Sequence, residues 1–254
     1  MNLFDLSDRV ALITGGNGGI GFGMAEGLAA AGAAVMIAGR DEAKNEAAIR
    51  ALRQAGAKAE AVPVDVAAEM SCRNMVAATV ATLGRLDILV NNAGIGGGKR
   101  PEEFALSEWN AILATNLTGV FLTAQAAYPE MKQRGGGKII NIGSMFSIFG
   151  GPVVAAYGAS KGGVVQLTKS LATAWAADNI QVNAVLPGWI DTDLTRRGRG
   201  RVSDLYENVL RRTPAGRWGT PRDLAGIAVF LASTGSDFIT GTTIAVDGGF
   251  AIQG

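Results

Sequence analysis

Short apolar runs alternate with longer stretches of mixed polarity along almost the whole chain. The runs are bounded by turn residues, a pattern typical of buried strands. Helices are predicted between the first six strands, and two of them cover residues 42–54 and 107–134. The predicted strands cover residues 10–13, 34–38, 59–64, 86–91, 138–142, 181–186 and 243–246.

This alternation predicts an α/β fold, a single doubly wound Rossmann-type domain with a seven-stranded parallel sheet flanked by helices. Right-handed crossovers bring the C-terminal ends of the strands to one edge, where open α/β sheets bind ligands. The chain has 254 residues and contains no linker, repeat or low-complexity segment. We therefore expect one domain over residues 1–254, with its functional side chains at the strand ends.

A glycine-rich loop, T-G-G-N-G-G-I-G at residues 14–21, joins the first predicted strand to a helix that ends near Ala31. Glycine permits a tight turn and lets the backbone approach a pyrophosphate, and the helix N-terminus offers N–H donors. The glycines fit two registers, G-x-G-x-x-G at 16–21 and T-G-x-x-x-G-x-G at 14–21. Both registers predict the binding of a dinucleotide.

The end of the second predicted strand bears on the choice of dinucleotide. An acid there binds the ribose hydroxyls of NAD, whereas an arginine can pair with the 2′-phosphate of NADP. Gly39 occupies the expected acidic position and Arg40 follows it, so the sequence favours NADP(H), with NAD(H) as the alternative. Exchanging Gly39→Asp together with Arg40→Ile is expected to favour NAD(H). Asp41 is interpreted as the N-cap of helix 42–54.

Two further polar residues leave alternatives open. Asp65 ends the third strand, where it could accept a hydrogen bond from the adenine amino group, cap a helix or lie solvated in a loop. Asn116 lies within helix 107–134, either solvated or buried with a specific function.

A hydroxyl, a phenol and an ammonium are grouped around the fifth predicted strand. Ser144 follows that strand, while Tyr157 and Lys161 lie four residues apart early in the next helix and share one of its faces. A cation beside a phenol lowers the tyrosine pKa from its free value of about 10. Such a tyrosine suits proton transfer near neutral pH.

A second tyrosine and lysine with the same spacing, Tyr128 and Lys132, lie late in helix 107–134. A helix that leaves the C-terminal edge of a parallel strand runs away from that edge, so its far end is distant from the ligand crevice. We therefore interpret Tyr128 and Lys132 as a surface pair.

Composition excludes several classes of function. The chain has no histidine, which excludes Ser-His-Asp hydrolysis and nearly all catalytic zinc sites, and no metal site is expected. The net charge of +1 gives no field that favours nucleic acid or a membrane. Cys72 is the only cysteine and is interpreted as a small buried residue. The lone cysteine and the absence of a signal peptide indicate a soluble, cytoplasmic protein.

With these residues placed, the chain resembles the short-chain dehydrogenase/reductase family from about residue 6 to residue 249. The resemblance implies NAD(P) dependence, a cytoplasmic location and a homotetramer or dimer, with the tetramer favoured. The motifs that carry it are T-G-G-N-G-G-I-G at 14–21, N-N-A-G at 91–94, N-L-T-G at 116–119, Ser144, Y-G-A-S-K at 157–161, P-G-W-I-D-T at 187–192 and V-D-G-G at 246–249.

The resemblance implies four catalytic residues. Tyr157 would exchange a proton with the substrate oxygen, and Ser144 would hydrogen-bond that oxygen. Lys161 would lower the tyrosine pKa and hold the nicotinamide ribose, while Asn116 would hold a water that links Lys161 to solvent. The residues implied to bind the cofactor are Gly15, Asn17, Gly19, Ile20, Gly21, Arg40, Asp65, Val66, Asn92, Ala93, Gly94, Tyr157, Lys161, Pro187, Gly188, Ile190 and Thr192.

The substrate is indicated less directly, by the segment at about 189–217, which is interpreted as a lid. It is rich in arginine, which suits carboxylate recognition, although a solvated lid is the alternative. The competing apolar side chains are Met145, Phe146, Phe149 and Trp189, which suit a ketone or acyl chain. The basic residues that could face the substrate come from the loop after the fourth strand and from the lid. They are Lys99, Arg100, Arg196, Arg197, Arg199, Arg201, Arg211, Arg212 and Arg217.

These features lead to three hypotheses for function. The favoured one is an NADP(H)-preferring alcohol dehydrogenase or ketoreductase, acting on a sugar acid or polyol, because the N-terminus and the lid arginines resemble family members that act on a sugar acid. The alternative is a 3-oxoacyl thioester or general ketone reductase. A non-catalytic cofactor-binding protein on the same fold is the third.

Overall fold

The computed structural model describes residues 2–199 and 204–253, without the side chains of residues 197–199. Within these residues, seven strands form one parallel sheet in the order β3-β2-β1-β4-β5-β6-β7. The fold class is confirmed, and each predicted strand is found with its bounds shifted by at most two residues. The strands are β1 Val10–Thr14, β2 Ala34–Gly39, β3 Ala59–Pro63, β4 Ile88–Asn91, β5 Gly137–Ile142, β6 Ile180–Pro187 and β7 Thr243–Val246.

Helices cover both faces of the sheet. The predicted helix 42–54 is α2, and Asp41 caps it as expected, because its carboxylate accepts the Lys44 N–H at 3.0 Å. No helix among the described residues combines the length and apolar character needed to span a membrane. The helices are α1 Gly19–Ala30, α2 Glu42–Gln54, α3 Glu69–Leu83, α4 Leu106–Leu113, α5 Gly119–Gln133, α6 Ala155–Trp175, α7 Asp193–Arg199, α8 Leu205–Arg212 and α9 Ala225–Ala232.

The predicted helix over 107–134 is found, and its middle contains a π-helical turn that was not predicted. The structure has α4, then a π-helical turn at Ala114–Thr118, then α5. A π turn accommodates an extra residue and is frequent at functional sites. Here it contains Asn116, which is fully buried.

The core lies on the two faces of the sheet, because successive strand residues point to opposite sides. In β1, Ala11 and Ile13 pack in the cluster that includes α1, α2 and α9. Val10 and Leu12 pack in the opposite cluster with residues of α3 and α5. Strands covered on both sides explain the continuous apolar runs in the sequence.

Candidate active site

The strand order places the predicted site residues at one edge of the sheet. β1 and β4 are neighbours, with Thr14 paired to Asn91, and β5 follows with Asn91 paired to Asn141. The glycine loop, Asn92 and Ser144 leave the C-terminal ends of these three strands. The chain order reverses between β1 and β4, which is where open sheets bind ligands.

The glycine loop has the shape that its glycines predict. Gly15 and Gly19 adopt positive φ angles of 62° and 52°, which side-chain-bearing residues rarely adopt. A Cβ at Gly21 would lie 2.4 Å from Asn92 Nδ2 and 2.5 Å from the Gly15 carbonyl oxygen. The T-G-x-x-x-G-x-G register therefore describes the positions at which glycine is required.

Residues from β1 and β4 hold this loop in place. Asn92 Nδ2 donates to the carbonyl oxygens of Thr14 at 3.1 Å and Gly15 at 2.9 Å. Thr14 Oγ1 accepts the backbone N–H groups of Asn92 and Ala93, both at 3.1 Å. Asn92 thus contacts the loop itself, and the Thr14 hydroxyl is a positioning group that the sequence reasoning missed.

The loop fits the pyrophosphate of a dinucleotide. No side chain caps the start of α1, so its first N–H groups remain available to an anion. A Cβ at Gly18 would meet no atom within 4 Å, so the loop faces open space. The loop, which could hold a cofactor phosphate, contains Gly15, Asn17, Gly19, Ile20 and Gly21.

The segment after β6 crosses the same loop. A Cβ at Gly19 would lie 3.3 Å from Thr192 Cγ2. Thr195 Oγ1 fixes this crossing by accepting the Thr192 N–H at 3.0 Å and donating to the Ile190 carbonyl oxygen at 2.7 Å. The Ile190 side chain is buried in the core, so only its backbone is available to a cofactor.

Pro187 and Gly188 form the exit from β6. A Cβ at Gly188 would lie 2.6 Å from Asp247 Cα at the end of β7, so this position requires glycine. The V-D-G-G segment at residues 246–249 therefore packs directly against Pro187 and Gly188.

Asn116 is buried and links three segments. Its Oδ1 accepts the Ile95 N–H at 2.8 Å, and its Nδ2 donates to the Ile95 carbonyl oxygen at 2.9 Å and to Ser160 Oγ at 3.2 Å. A Cβ at Gly94 would lie 3.4 Å from Asn116 Oδ1 and 3.6 Å from Lys161 Nζ. Asn116, from the π turn, and Lys161, from α6, thus both lie beside Gly94.

Ser144, Tyr157 and Lys161 come together as predicted. Ser144 Oγ accepts the Phe146 N–H at 3.2 Å, and its hydroxyl hydrogen bonds with Tyr157. The Phe146 ring packs edge-on against Tyr157, with the centroids 6.2 Å apart. Ser147 Oγ donates to the Lys161 carbonyl oxygen at 2.8 Å, which anchors α6 to the loop after β5.

The expected lowering of the Tyr157 pKa by Lys161 is not found. Burial raises the pKa of Tyr157, and the hydrogen bond with Ser144 opposes that rise. Lys161 Nζ lies 5.8 Å from the centroid of the Tyr157 ring and donates to the Ile142 carbonyl oxygen at 2.7 Å. The ammonium is therefore directed at the end of β5, and Tyr157 is a protonated phenol at neutral pH.

Burial also lowers the pKa of Lys161, to about 8. Its ammonium is charged below that pH and loses its proton above it. If Lys161 assists cofactor binding, kcat/KM for NADPH should be constant in neutral solution and fall as the pH rises through about 8. Initial rates at saturating ketone between about pH 6 and about pH 10 test this, because kcat/KM reports the free enzyme. A flat profile across that range would contradict this account of Lys161.

Three further residues predicted to bind the cofactor, Asp65, Val66 and Arg40, differ in their exposure to solvent. Asp65 is exposed and its carboxylate accepts the Ala67 N–H at 3.0 Å, but Ala68 occupies the N-cap position of α3, so the N-cap alternative for Asp65 is wrong. Its contact with adenine stays a prediction. The Val66 side chain is buried in the core. Arg40 is exposed beside the glycine loop.

Three residues that the sequence predicts to be structural have structural contacts in the fold. Tyr128 Oη donates to Asp178 at 2.7 Å, Lys132 pairs with the same carboxylate at 3.1 Å, and the tyrosine stacks on Trp175. This group lies at the far end of α5, away from the ligand edge. Cys72 is fully buried, and burial raises the pKa of its thiol to about 11.

Four of the six predicted basic residues whose side chains are described around the mouth have acidic partners. Lys99 pairs with Glu108 and Arg100 with Glu102. Arg211 donates to Asn208, whereas Arg212 lies over the rings of Phe149 and Phe250, 5.3 Å and 4.2 Å from their centroids. Arg196 pairs with Asp191 and Asp193, and Arg217 with Asp223. Arg201 and the side chains of Arg197 and Arg199 lie outside the described residues.

Comparison with known proteins identifies the family. A family model described as enoyl-(acyl carrier protein) reductase matches residues 15–251. The chain is 40% identical to gluconate 5-dehydrogenase of Gluconobacter oxydans, over 99% of this chain and 98% of that protein. It is 43% identical to 2-dehydro-3-deoxy-D-gluconate 5-dehydrogenase of Dickeya dadantii, over 98% of both chains.

A solved structure agrees with these relatives. The gluconate 5-dehydrogenase of Burkholderia cenocepacia, in complex with NADP and tartrate, superposes with a TM-score of 0.94 at 43% identity. The superposition covers 99% of this chain and 98% of that one. The chain therefore belongs to the short-chain dehydrogenase/reductase family, and it is an NAD(P)-dependent oxidoreductase that interconverts CH–OH groups and ketones.

Proposed function

We propose that the protein interconverts the ketone and the secondary alcohol of a short sugar acid, with NADP(H) as the preferred cofactor. The observation that carries the proposal is the meeting of Ser144, Tyr157 and Lys161 beside a glycine loop shaped for a pyrophosphate. The relatives support the substrate class, because those named above act on gluconate or its 2-dehydro-3-deoxy form.

Four side chains would share the chemistry. The bound nicotinamide supplies the hydride. Tyr157, held as a protonated phenol, gives its proton to the substrate oxygen during reduction, and the Ser144 hydroxyl donates a hydrogen bond to the same oxygen as charge develops. The Lys161 ammonium, bound to the Ile142 carbonyl oxygen, places a positive charge near these hydroxyls. Asn116 fixes the neighbouring backbone of Ile95.

The preference for NADP(H) is supported by the end of β2. Gly39 offers no acid to the adenosine ribose, and Arg40 places an exposed guanidinium next to it. Three of the similar structures contain bound NADP. An arginine beside the ribose favours a 2′-phosphate over a hydroxyl.

Anion recognition at the substrate mouth is assigned to Arg212. The Phe146 ring contacts both Tyr157 and Trp189, and Trp189 in turn contacts Phe250, on which Arg212 lies. This row of rings connects the reacting hydroxyl to the guanidinium. Within the described residues Arg212 forms no ion pair, so its charge is available to a carboxylate.

A substrate panel tests the proposed function. We expect kcat/KM for 5-ketogluconate to exceed that for a neutral keto sugar of the same length by at least about tenfold, because a charge-assisted hydrogen bond is lost with the carboxylate. Arg212→Met should reduce this advantage, whereas Arg211→Met, its exposed neighbour, should preserve it. Acetoacetyl thioester and an aryl ketone complete the panel, and higher kcat/KM for either one would refute the sugar-acid assignment.

Three further features belong to the same proposal. The segment at about 189–217 is a lid, supported by Leu194 Cδ1, which would lie 3.3 Å from a Cβ at Gly96 across the mouth. The protein is a homotetramer in the cytoplasm, as its resemblance to the family implies. The single buried cysteine supports the cytoplasmic location.

A further inference from the structure

We propose that Asn45 is a positioning residue for cofactor selection, which holds Asn17 across the end of β2 so that the site accepts a 2′-phosphate and excludes an acidic side chain. This inference rests on the proposed preference for NADP(H). Asn45 lies in the first turns of α2 and takes no direct part in the site described above.

Two hydrogen bonds define the position of Asn45. Its Nδ2 donates to the Gly39 carbonyl oxygen at 2.9 Å, and its Oδ1 accepts from Asn17 Nδ2 at 2.7 Å. Asn45 is 3% exposed, so water cannot replace either bond readily. The amide thus ties together α2, the last residue of β2 and the glycine loop.

The same two amides occupy the space beside Gly39. A Cβ on Gly39 would lie 2.5 Å from Asn17 Nδ2 and 2.8 Å from Asn45 Oδ1. Gly39 does not have a positive φ, so its backbone would accept any residue. The obstruction comes from these two side chains, and a change at Asn17 removes the closer of the two contacts.

The charges around this group favour an anion. Asn17 Nδ2 gives one hydrogen to Asn45 and keeps a second one for a ligand. Arg40 is exposed and forms no ion pair with a described residue. Asn17 Nδ2 and the Arg40 guanidinium are therefore two donors available near the end of β2, which suits a 2′-phosphate. It follows that Gly39→Asp with Arg40→Ile does not suffice for a change to NAD(H), because Asn17 also has to be replaced.

Nucleotide fragments measure this role without turnover. Isothermal titration gives the dissociation constants of 2′,5′-ADP and 5′-AMP, whose ratio isolates the 2′-phosphate. We expect Asn45→Ala to reduce the preference for 2′,5′-ADP by about tenfold, since Asn17 is no longer held in place. Asn74→Ala, an exposed asparagine of α3, is the matched control and should leave the ratio unchanged.

The outcomes separate the inference from the proposed function. If Asn45→Ala weakens the binding of both fragments equally, the ratio of their dissociation constants is preserved. That result would mean a structural role only and would overturn the inference. Should Asn45→Ala fail to fold, Asn17→Ala removes the same bond from the loop side, and a preserved ratio in that variant is equally contradictory. A preference of the unmodified protein for 5′-AMP would instead overturn the proposed cofactor.

A second experiment tests the spatial argument. Gly39→Asp alone should lower the melting temperature and gain little use of NADH, because its side chain meets Asn17. Asn17→Gly combined with Gly39→Asp should recover part of the lost melting temperature, because only the contact with Asn45 remains, and raise kcat/KM for NADH above that of either single variant. If Gly39→Asp alone is as stable and as active with NADH as the double variant, Asn17 does not exclude the acid.

Discussion

Tyr157→Phe should reduce kcat for ketone reduction by roughly 10²- to 10⁴-fold, the range contributed by a general acid. The variant keeps the ring that packs against Phe146 and loses only the hydroxyl that is hydrogen-bonded with Ser144. Binding of NADPH should be almost unchanged, because the glycine loop and its support from Asn92 are untouched. Steady-state rates and fluorescence titration of NADPH measure the two effects separately.

Tyr128→Phe is the matched control for this prediction. Tyr128 has a lysine at the same spacing, but its hydroxyl donates to Asp178 at the far end of α5. Losing that bond should cost about 1 kcal/mol of unfolding free energy and leave kcat unchanged. If Tyr157→Phe retains turnover within a few-fold of the unmodified protein, or if Tyr128→Phe loses it, the assignment of the proton donor is wrong.

Gly21→Ala should weaken NADPH binding by roughly ten- to a hundredfold. Its Cβ would meet Asn92 Nδ2 at 2.4 Å and the Gly15 carbonyl oxygen at 2.5 Å, so the loop has to move. Overpacking of this kind costs about 1–3 kcal/mol, and here the resulting displacement affects the loop that would bind the pyrophosphate. Titration of the purified variant with NADPH measures the change in dissociation constant.

Gly226→Ala, in α9, is the control for Gly21→Ala. A Cβ at Gly226 meets no atom within 4 Å, and alanine favours a helix over glycine by about 1 kcal/mol. This variant should bind NADPH normally and unfold at the same or a higher temperature. Normal NADPH affinity in Gly21→Ala would show that the loop does not hold the cofactor.

The fold was predictable because strands covered on both faces are continuous apolar runs, and the turns between them are rich in glycine. The π turn was not predictable in the same way. A single inserted residue hardly changes the apolar periodicity of a long helix. The turn contains Asn116, which pairs with the backbone of Ile95, a partner 21 positions earlier in the chain.

The position of the site followed from topology, but its electrostatics did not. Strand order places Ser144 and Tyr157 at one edge whatever their local contacts. The direction of the Lys161 ammonium depends on the Ile142 carbonyl oxygen, and the pKa of Tyr157 depends on burial. Spacing along a helix shows which side chains share a face, and it does not show which neighbour each one contacts.

Asn45 was missed although the sequence contains a signal for it. Residues 45, 48, 49 and 52 share one face of α2, and the other three on that face are Ala48, Ile49 and Leu52, all buried. An asparagine on an apolar face has to find hydrogen-bond partners inside the protein. Its partners, Asn17 and Gly39, became apparent only from the packing of α2 against β2 and the glycine loop.

Transfer of deuterium from labelled NADPH tests the central claim most directly. The purified protein would be incubated with 5-ketogluconate and NADPH deuterated at the transferable position of the nicotinamide C4, and the product analysed by mass spectrometry. This account predicts a sugar-acid alcohol carrying one deuterium on the new CH–OH carbon, formed by the unmodified protein and nearly absent with Tyr157→Phe. Reduced product without deuterium, or no reduced product from the unmodified protein, would contradict it.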